Sequence, residues 1–126
     1  MRPPAARGLL DTSVFIALET DRAIEIGRLP DESVVCPVTI AGDLGTRARR
    51  LATLESIADV EVLVIDTAVA AEWARLRVHL AENGLRVSVN DLWVAATAAA
   101  HGLPVVTQGD DFDQLDGVGG LSVIRV

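Results

Sequence analysis

Asp11 is the first residue in this sequence whose position suggests chemistry. It follows the apolar residues 8–10, and the hydroxyl side chains of Thr12 and Ser13 come directly after it. The apolar residues predict a short strand, and the hydroxyls predict a helix start, because their oxygens accept hydrogen bonds from the first free N–H groups of a helix. Ligands and catalytic groups collect at the carboxyl ends of strands in open parallel α/β sheets. Asp11 is therefore a candidate catalytic residue, and the alternative is that it only caps the helix.

Three further aspartates are predicted to lie near Asp11. Asp91 falls in the first turn of a predicted helix, and Asp110 and Asp111 follow a predicted strand that ends at Thr107. If these strands are neighbours, three separate segments bring carboxylates to one edge of the sheet. Crowded like charges are costly unless a cation neutralises them, so the cluster predicts Mg²⁺ or Mn²⁺. Such an ion can orient and deprotonate a water for in-line attack on a phosphodiester. Taken singly, each acid can instead be a helix-start or turn residue.

The charged residues of the sequence exclude several classes of function. A formal net charge of −7 argues against a protein that coats nucleic acid through a basic surface. A bound divalent metal would neutralise part of this charge. All eleven cationic residues are Arg, and Lys is absent. P-loop nucleotide binding requires a Lys on the phosphates, so it is excluded. An unrelated α/β phosphohydrolase is disfavoured for the same reason and stays the weakest alternative.

Strands and helices alternate along the chain, and this order predicts the fold. Half of the residues are hydrophobic and 3% are aromatic, which is typical of helices packed on a parallel sheet. With no linker or repeat, we expect one domain over residues 1–126, an α/β fold with a central parallel sheet flanked by helices in three layers, α/β/α. The predicted strands are 8–10, 34–36, 60–65, 103–107 and 121–126, and the predicted helices are 13–19, 21–29, 47–57, 67–82 and 92–101.

The sequence carries no sign of secretion or of a membrane anchor. Its single cysteine, Cys36, excludes an internal disulfide and is expected to be a small buried side chain. No apolar stretch approaches the roughly 20 residues that cross a bilayer, and the first residues lack the pattern of a signal peptide. We therefore expect a soluble cytoplasmic protein.

Four short motifs, taken in order, resemble one known family. They are residues 9–13 (Leu-Leu-Asp-Thr-Ser), residues 90–97 (Asn-Asp-Leu-Trp-Val-Ala-Ala-Thr), residues 102–107 (Gly-Leu-Pro-Val-Val-Thr) and the pair Asp111 and Phe112. They span nearly the whole chain, which resembles the PIN domain, specifically the VapC-type toxins of bacterial toxin–antitoxin pairs. The resemblance implies a Mg²⁺- or Mn²⁺-dependent endoribonuclease that is usually a homodimer. It also implies inhibition by a cognate VapB antitoxin, whose tail lies across the active site.

The resemblance also implies roles for individual residues. Asp11 and Asp91 match two of the family's metal-site acids, and Asp111 matches an additional acid often seen before the Phe. Asp110 is the next candidate ligand. The hydroxyl residues that would hold a metal-bound water or the backbone turn are Thr12, Ser13 and Thr107.

The chain departs from the family pattern at two positions. The family usually has a Glu shortly after a segment such as residues 38–41, where this chain has Gly42 followed by Asp43. The chain also lacks a couple of helical turns before Arg47, so this Glu is either lost or lies in a segment absent from the sequence. An acid or Asn commonly stands two residues after Thr107, where this chain has Gly109. These departures leave open a different class of function, a PIN-fold module that binds antitoxin and metal but cleaves weakly or not at all.

Three arginines at the start of the predicted helix 47–57 are candidate RNA contacts. Arg47, Arg49 and Arg50 lie in its first turn, where cations oppose the helix dipole. Contacts with the phosphates of an RNA strand would explain them. The alternative is a solvated helix face.

Overall fold

A parallel sheet lies at the centre of the computed structural model, which describes residues 6–41, 48, 52 and 60–126. Its strands within these residues are β1 (Arg7–Leu10), β2 (Glu32–Val35), β3 (Glu61–Val62), β4 (Val105–Thr107) and β5 (Val123–Arg125). They lie side by side in the order β3-β2-β1-β4-β5, and each neighbouring pair is parallel. The predicted α/β fold with a parallel sheet is confirmed.

Helices connect the strands. The α-helices in the described ranges are α1 (Thr12–Glu19), α2 (Pro37–Ala41), α3 (Thr67–Glu82) and α4 (Val89–His101). The chain also forms short 3₁₀ helices at Ile26–Arg28, Asp113–Leu115 and Val118–Gly120. Within the same ranges, none of the helices has both the length and the apolar character needed to span a membrane.

The two long helices begin and end at side chains that suit these positions. The carboxylate of Asp66 accepts a hydrogen bond of 3.0 Å from the N–H of Val69 and caps the start of α3. Gly102 ends α4 in the left-handed conformation, with φ of +64°, which costs Gly less than residues that carry a Cβ. Both boundaries agree with the predicted ones.

Helices cover both faces of the sheet. Leu9 belongs to a buried cluster that includes Leu76 of α3 and Val94 of α4. Its neighbour Leu10 belongs to a second cluster, which includes Phe15 of α1. Because successive strand residues point to opposite faces, these two clusters lie on opposite sides of the sheet. The predicted three-layer α/β/α arrangement is confirmed, and burial on both faces explains why the strands are continuous apolar runs.

The direction in which the sheet grows reverses between β1 and β4. From β1 the chain adds β2 and then β3 on one side, and it later adds β4 and β5 on the other. Ligands of open α/β sheets bind at such a switch point, outside the carboxyl ends of the strands. Asp11 directly follows β1, and Thr107 is the last residue of β4. The N–H of Asp11 donates a hydrogen bond of 2.8 Å to the carbonyl of Val106, which holds the two strand ends together.

The predicted helix over residues 21–29 is wrong. Only Ile26–Arg28 is helical there, as a 3₁₀ turn. Asp21 has φ of +54°, a left-handed conformation that does not propagate a right-handed helix. The N–H of Glu25 donates to the carbonyl of Val126 instead of to a helical neighbour. A contact that is distant in sequence thus overrides weak helical spacing.

Other predicted boundaries change less. The strand predicted over 60–65 is only Glu61–Val62, at the edge of the sheet, and one further hydrogen bond of 2.9 Å joins Leu63 N–H to the Val35 carbonyl. The strand predicted over 34–36 ends at Val35. The helix α2 then begins at Pro37, whose fixed φ suits a first helical turn. The helix predicted over 47–57 lies outside the described residues except at positions 48 and 52, which are helical.

Candidate active site

Asp11 is buried at the switch point, with 3% of its surface exposed. It is the N-cap of α1, because its Oδ2 accepts a hydrogen bond of 3.3 Å from the N–H of Ser13. The helix therefore starts one residue earlier than predicted, and the carboxylate caps it rather than a hydroxyl. The same Oδ2 accepts a second hydrogen bond, of 3.0 Å, from the hydroxyl of Thr107.

A chain of hydroxyl groups fixes the orientation of Asp11. The Oγ atoms of Ser13 and Thr107 are 3.0 Å apart. Because the single hydroxyl proton of Thr107 goes to Asp11, Ser13 must donate to Thr107. The N–H of Gln108 in turn donates to Ser13 Oγ at 3.0 Å. Each donor in this chain thus points toward Asp11, which accepts at its end as a carboxylate.

The other carboxylate oxygen of Asp11, Oδ1, is buried and has no hydrogen-bond partner among the residues that the structure describes. Leaving a buried polar atom unsatisfied costs about 1–3 kcal/mol, and such an atom needs an explanation. Coordination of a hard divalent cation by this oxygen is one, since Mg²⁺ and Mn²⁺ prefer oxygen ligands. The donor chemistry at this position therefore fits such an ion.

Asp91 lies in the first turn of α4 and senses the charges of two other candidate acids. The side chain of Ser88 caps this helix and accepts a hydrogen bond of 3.2 Å from the N–H of Asp91. Burial raises the pKa of Asp91 above its ordinary value, and a hydrogen bond with the Ser88 side chain opposes this rise. The negative charges of Asp11 and Asp111 raise the same pKa further. Two other segments of the chain therefore place their carboxylates within electrostatic reach of Asp91.

Asp110 and Asp111, the two acids of the turn after β4, act on different charged groups. Both are exposed, but the charge of Asp111 acts on Asp91. Asp110 instead acts on Arg125, whose pKa is raised mainly by a hydrogen bond to Asp113 and by the charge of Asp113, and less by Asp110. Asp111 is therefore the acid of this pair whose charge, like that of Asp11, acts on Asp91.

The remaining predicted site residues are less closely associated with Asp11. Thr12 Oγ1 donates to Thr39 Oγ1 at 3.5 Å, next to the first turn of α1. Arg47, Arg49 and Arg50 lie outside the described residues, as do Gly42 and Asp43. Across residues 6–41, 48, 52 and 60–126, no three His, Cys, Asp or Glu side chains are close enough to form a metal-binding group. Mg²⁺ in proteins usually keeps several waters and uses one or two carboxylates, so an ion with fewer protein ligands is the arrangement that fits.

Gly109 leaves space beside Asp111. Its N–H donates a weak hydrogen bond of 3.4 Å to Thr107 Oγ1. A Cβ added at Gly109 would have the carboxylate of Asp111 as its nearest neighbour, at an ordinary contact distance of 3.9 Å. The family's usual acid at this position would therefore fit, and its space is open next to the carboxylate of Asp111.

Two residues that position the site were missed in the sequence. Ser88 caps the helix that carries Asp91, and its spacing of three residues from an acid is a capping signal that would have identified it. Gln108 acts through its backbone N–H. Such a role leaves no trace in residue type, so only the structure reveals it.

Comparisons with known proteins identify the family of this chain. The family model described as the PIN domain matches residues 8–118. Ribonuclease VapC5 of Mycobacterium tuberculosis is 51% identical over 135 aligned positions, which cover 100% of both proteins. Since this chain has 126 residues, at least nine of those positions have no residue in it. Ribonuclease VapC4 of the same organism is 39% identical over 116 positions, covering 84% of this chain and 88% of the relative.

A solved structure agrees as well. The chain is similar to a crystal structure of VapBC-5 from Mycobacterium tuberculosis, a member of the VapBC family of toxin–antitoxin systems. The TM-score is 0.81 and the sequence identity 49%, over 96% of this chain and 99% of that one. Together, the match to the family model, the identity to VapC5 and this structural similarity show that the chain belongs to the PIN domain family, among its VapC-type members.

Proposed function

We propose that this chain is a VapC-type ribonuclease toxin that hydrolyses RNA phosphodiester bonds with the help of Mg²⁺ or Mn²⁺. The observation that carries the proposal is Oδ1 of Asp11, a buried carboxylate oxygen at the switch point of the sheet that has no partner in the described part of the chain. Two relatives of this chain are named ribonucleases, which supports RNA as the substrate.

The residues of the chain would divide the work at this site. Asp11, Asp91 and Asp111 would share the ion, with one or two of these carboxylates bound to it directly and the rest bound through its waters. Asp110 would be a more distant acid. A divalent ion bound there supplies an activated water and neutralises charge during attack on a phosphodiester. Thr107 and Ser13 orient Asp11, because Oδ2 accepts hydrogen bonds from the Thr107 hydroxyl and the Ser13 N–H. Fixed donors of this kind remove the need to reorganise the site during the reaction.

The partners follow from the same assignment. The similar structure is that of a VapBC toxin–antitoxin system, which supports a VapB-type antitoxin as the inhibitor of this chain. The toxin itself would fold as one domain over residues 1–126 and act as a homodimer. It would act in the cytoplasm.

A ribonuclease assay on purified protein tests the proposal. Cleavage of single-stranded RNA should require Mg²⁺ or Mn²⁺ and stop in EDTA. Asp11→Asn and Asp91→Asn should each lower the rate on the order of 100-fold or more, since loss of even an outer partner of a metal site commonly costs about 10–100-fold. Asp116→Asn is the matched control, because Asp116 is an exposed acid near the turn that holds Asp110 and Asp111. Cleavage at the normal rate in both variants would reject the site.

A weakly active PIN-fold module is the second candidate. The observation in its favour is Gly109, which supplies no side chain where the family commonly has an acid or Asn. Such a module would bind antitoxin and metal but cleave RNA slowly or not at all. Metal-dependent stabilisation of the wild type without RNA cleavage would favour it.

A further inference from the structure

A groove of about 450 Å³ opens next to Gln108, the residue that follows β4. Its lining includes Arg22, in the segment after α1, and Arg125, at the end of β5. The other lining residues are Ala23, Ile24, Gln108, Val126 and Glu25, and Glu25 forms an ion pair with Arg28. The groove therefore lies at the same carboxyl edge of the sheet as Asp11.

Gln108 connects the groove to the active site. Its backbone N–H donates to Ser13 Oγ, in the hydrogen-bond chain that ends at Asp11. Its side-chain amide donates at 2.8 Å to the carbonyl of Ala23, on the groove wall. The N–H of Val126 donates at 2.9 Å to the carbonyl of Thr107. A chain-like ligand with one group bound at Asp11 would therefore place a neighbouring group in this groove.

Arg22 has no carboxylate partner in the part of the chain that the structure describes. Most other arginines there are paired with acids: Arg7 with Glu32 and Glu61, Arg28 with Glu25, Arg75 with Glu72, and Arg125 with Asp113. Arg22 is exposed. A cation without a carboxylate partner among the described residues, on a chain of net charge −7, is available to an anionic ligand.

Arg125 forms an ion pair with Asp113. The two side chains are about equally exposed, at 50% and 49%. An exposed pair of this kind contributes little to stability. A phosphate can therefore compete for this guanidinium at small cost to the fold.

We propose that Arg22 and Arg125 bind a backbone phosphate of the RNA strand beside the bond that is cleaved. This inference rests on the proposed ribonuclease function. A guanidinium matches the geometry of a phosphate and can contact it through two N–H groups. Contacts of this kind position a strand without reading its sequence. They give an acidic protein a local means of holding a polyanion next to its carboxylates.

RNA binding measured without cleavage tests the groove. The probe is a fluorescently labelled single-stranded RNA of mixed sequence, bound to the full chain in EDTA at several salt concentrations. Arg22→Gln and Arg125→Gln should each weaken binding several-fold. The double variant should reduce the slope of log K against log salt by about 0.7, the value for one phosphate contact on a single strand. In the cleavage assay they should raise KM more than they lower kcat.

Two further variants make the test specific. Arg86→Gln is the matched control, because Arg86 is also unpaired among the described residues but lines a different groove. It should leave RNA affinity unchanged. Asp113→Asn frees Arg125 and removes a negative charge, so it should strengthen RNA binding, which general damage to the fold would not do.

The outcomes separate this inference from the proposed function. If the wild type cleaves RNA but the Arg22 and Arg125 variants keep its affinity and salt slope, the groove proposal is rejected and the function stands. If these variants lose binding to a VapB-type antitoxin and keep RNA binding, the groove is a protein site and the proposal is also rejected. If RNA binding depends on Arg22 and Arg125 but the protein cleaves no RNA with Mg²⁺ or Mn²⁺, the phosphate contacts are supported and the ribonuclease function is rejected.

Discussion

The hydroxyl of Thr107 donates a hydrogen bond of 3.0 Å to Oδ2 of Asp11, and so joins the side chains at the ends of β4 and β1. The backbone joins the same two strand ends through Asp11 N–H and the Val106 carbonyl. The sheet therefore fixes one carboxylate oxygen by two independent connections. It leaves the other oxygen, Oδ1, buried and without a partner within residues 6–41, 48, 52 and 60–126. An oriented but unsatisfied carboxylate is what a metal ligand requires before the ion binds.

Replacing Thr107 with Val should weaken both the fold and the site. The change removes the hydroxyl donor to Asp11 and the acceptor of Ser13 and Gly109. We expect a loss of about 1–2 kcal/mol in the free energy of unfolding, measured in urea, and cleavage slowed by roughly 10-fold. Thr107→Ser keeps the hydroxyl and should restore most of the activity. Equal loss in the two variants would mean that packing, rather than the hydrogen bond, is what matters.

Replacing Asp91 with Asn should stabilise the metal-free protein. Burial, together with the charges of Asp11 and Asp111, raises the pKa of Asp91 in the folded state. The ionised form is therefore disfavoured by folding. This destabilisation is fully present above the raised pKa and is relieved as pH falls through that pKa toward the ordinary value of 3.8.

Thermal unfolding in EDTA checks this prediction. At pH 7, Asp91→Asn should raise Tm by about 1–3 °C, and the advantage should shrink as pH falls through the raised pKa toward 3.8. Asp116→Asn removes an exposed acid and should show no comparable gain. A lower Tm for the Asp91 variant at pH 7 would contradict the assigned repulsion among the three acids.

The long helices could be predicted from the sequence because their signals are local. Asp66 at the start of α3 and Gly102 at the end of α4 mark boundaries by residue type alone. The segment 21–29 could not be predicted, since its path depends on a hydrogen bond from Glu25 to Val126, at the far end of the chain. Local spacing carries no information about such a contact.

The candidate site shows the same division. Alternating strands and helices place Asp11 and the turn after β4 at one sheet edge, which follows from sequence order once the strands are neighbours. The charge of Asp111 is among the causes that raise the pKa of Asp91. The ranking of Asp111 above Asp110 as a metal ligand stays a prediction. The hydrogen-bond chain through Gln108 could not be predicted, because a backbone N–H is present at nearly every residue.

Divalent metal should stabilise the wild type in proportion to its binding. A ligand at 100 times its Kd adds about 2.7 kcal/mol to the free energy of unfolding, so Mg²⁺ or Mn²⁺ should raise Tm above its value in EDTA. Asp11→Asn should abolish this rise, because it replaces the carboxylate whose Oδ1 is unsatisfied. Asp116→Asn should keep it. A metal-induced shift that is the same in the wild type and in Asp11→Asn would place the ion elsewhere.

Adding an acid at position 109 should strengthen metal binding. A Cβ at Gly109 meets nothing closer than the Asp111 carboxylate, at 3.9 Å, so Gly109→Asp should fold. The new carboxylate beside Asp111 adds repulsion, which should lower Tm slightly in EDTA. It also adds ligand charge, which should raise Mn²⁺ affinity on the order of 10-fold in a calorimetric titration. Gly109→Asn fills the same space without a charge and should give a smaller gain. Equal affinities for the Asp and Asn variants would show that the site does not respond to a carboxylate at this position, and that Asp111 alone supplies the charge there.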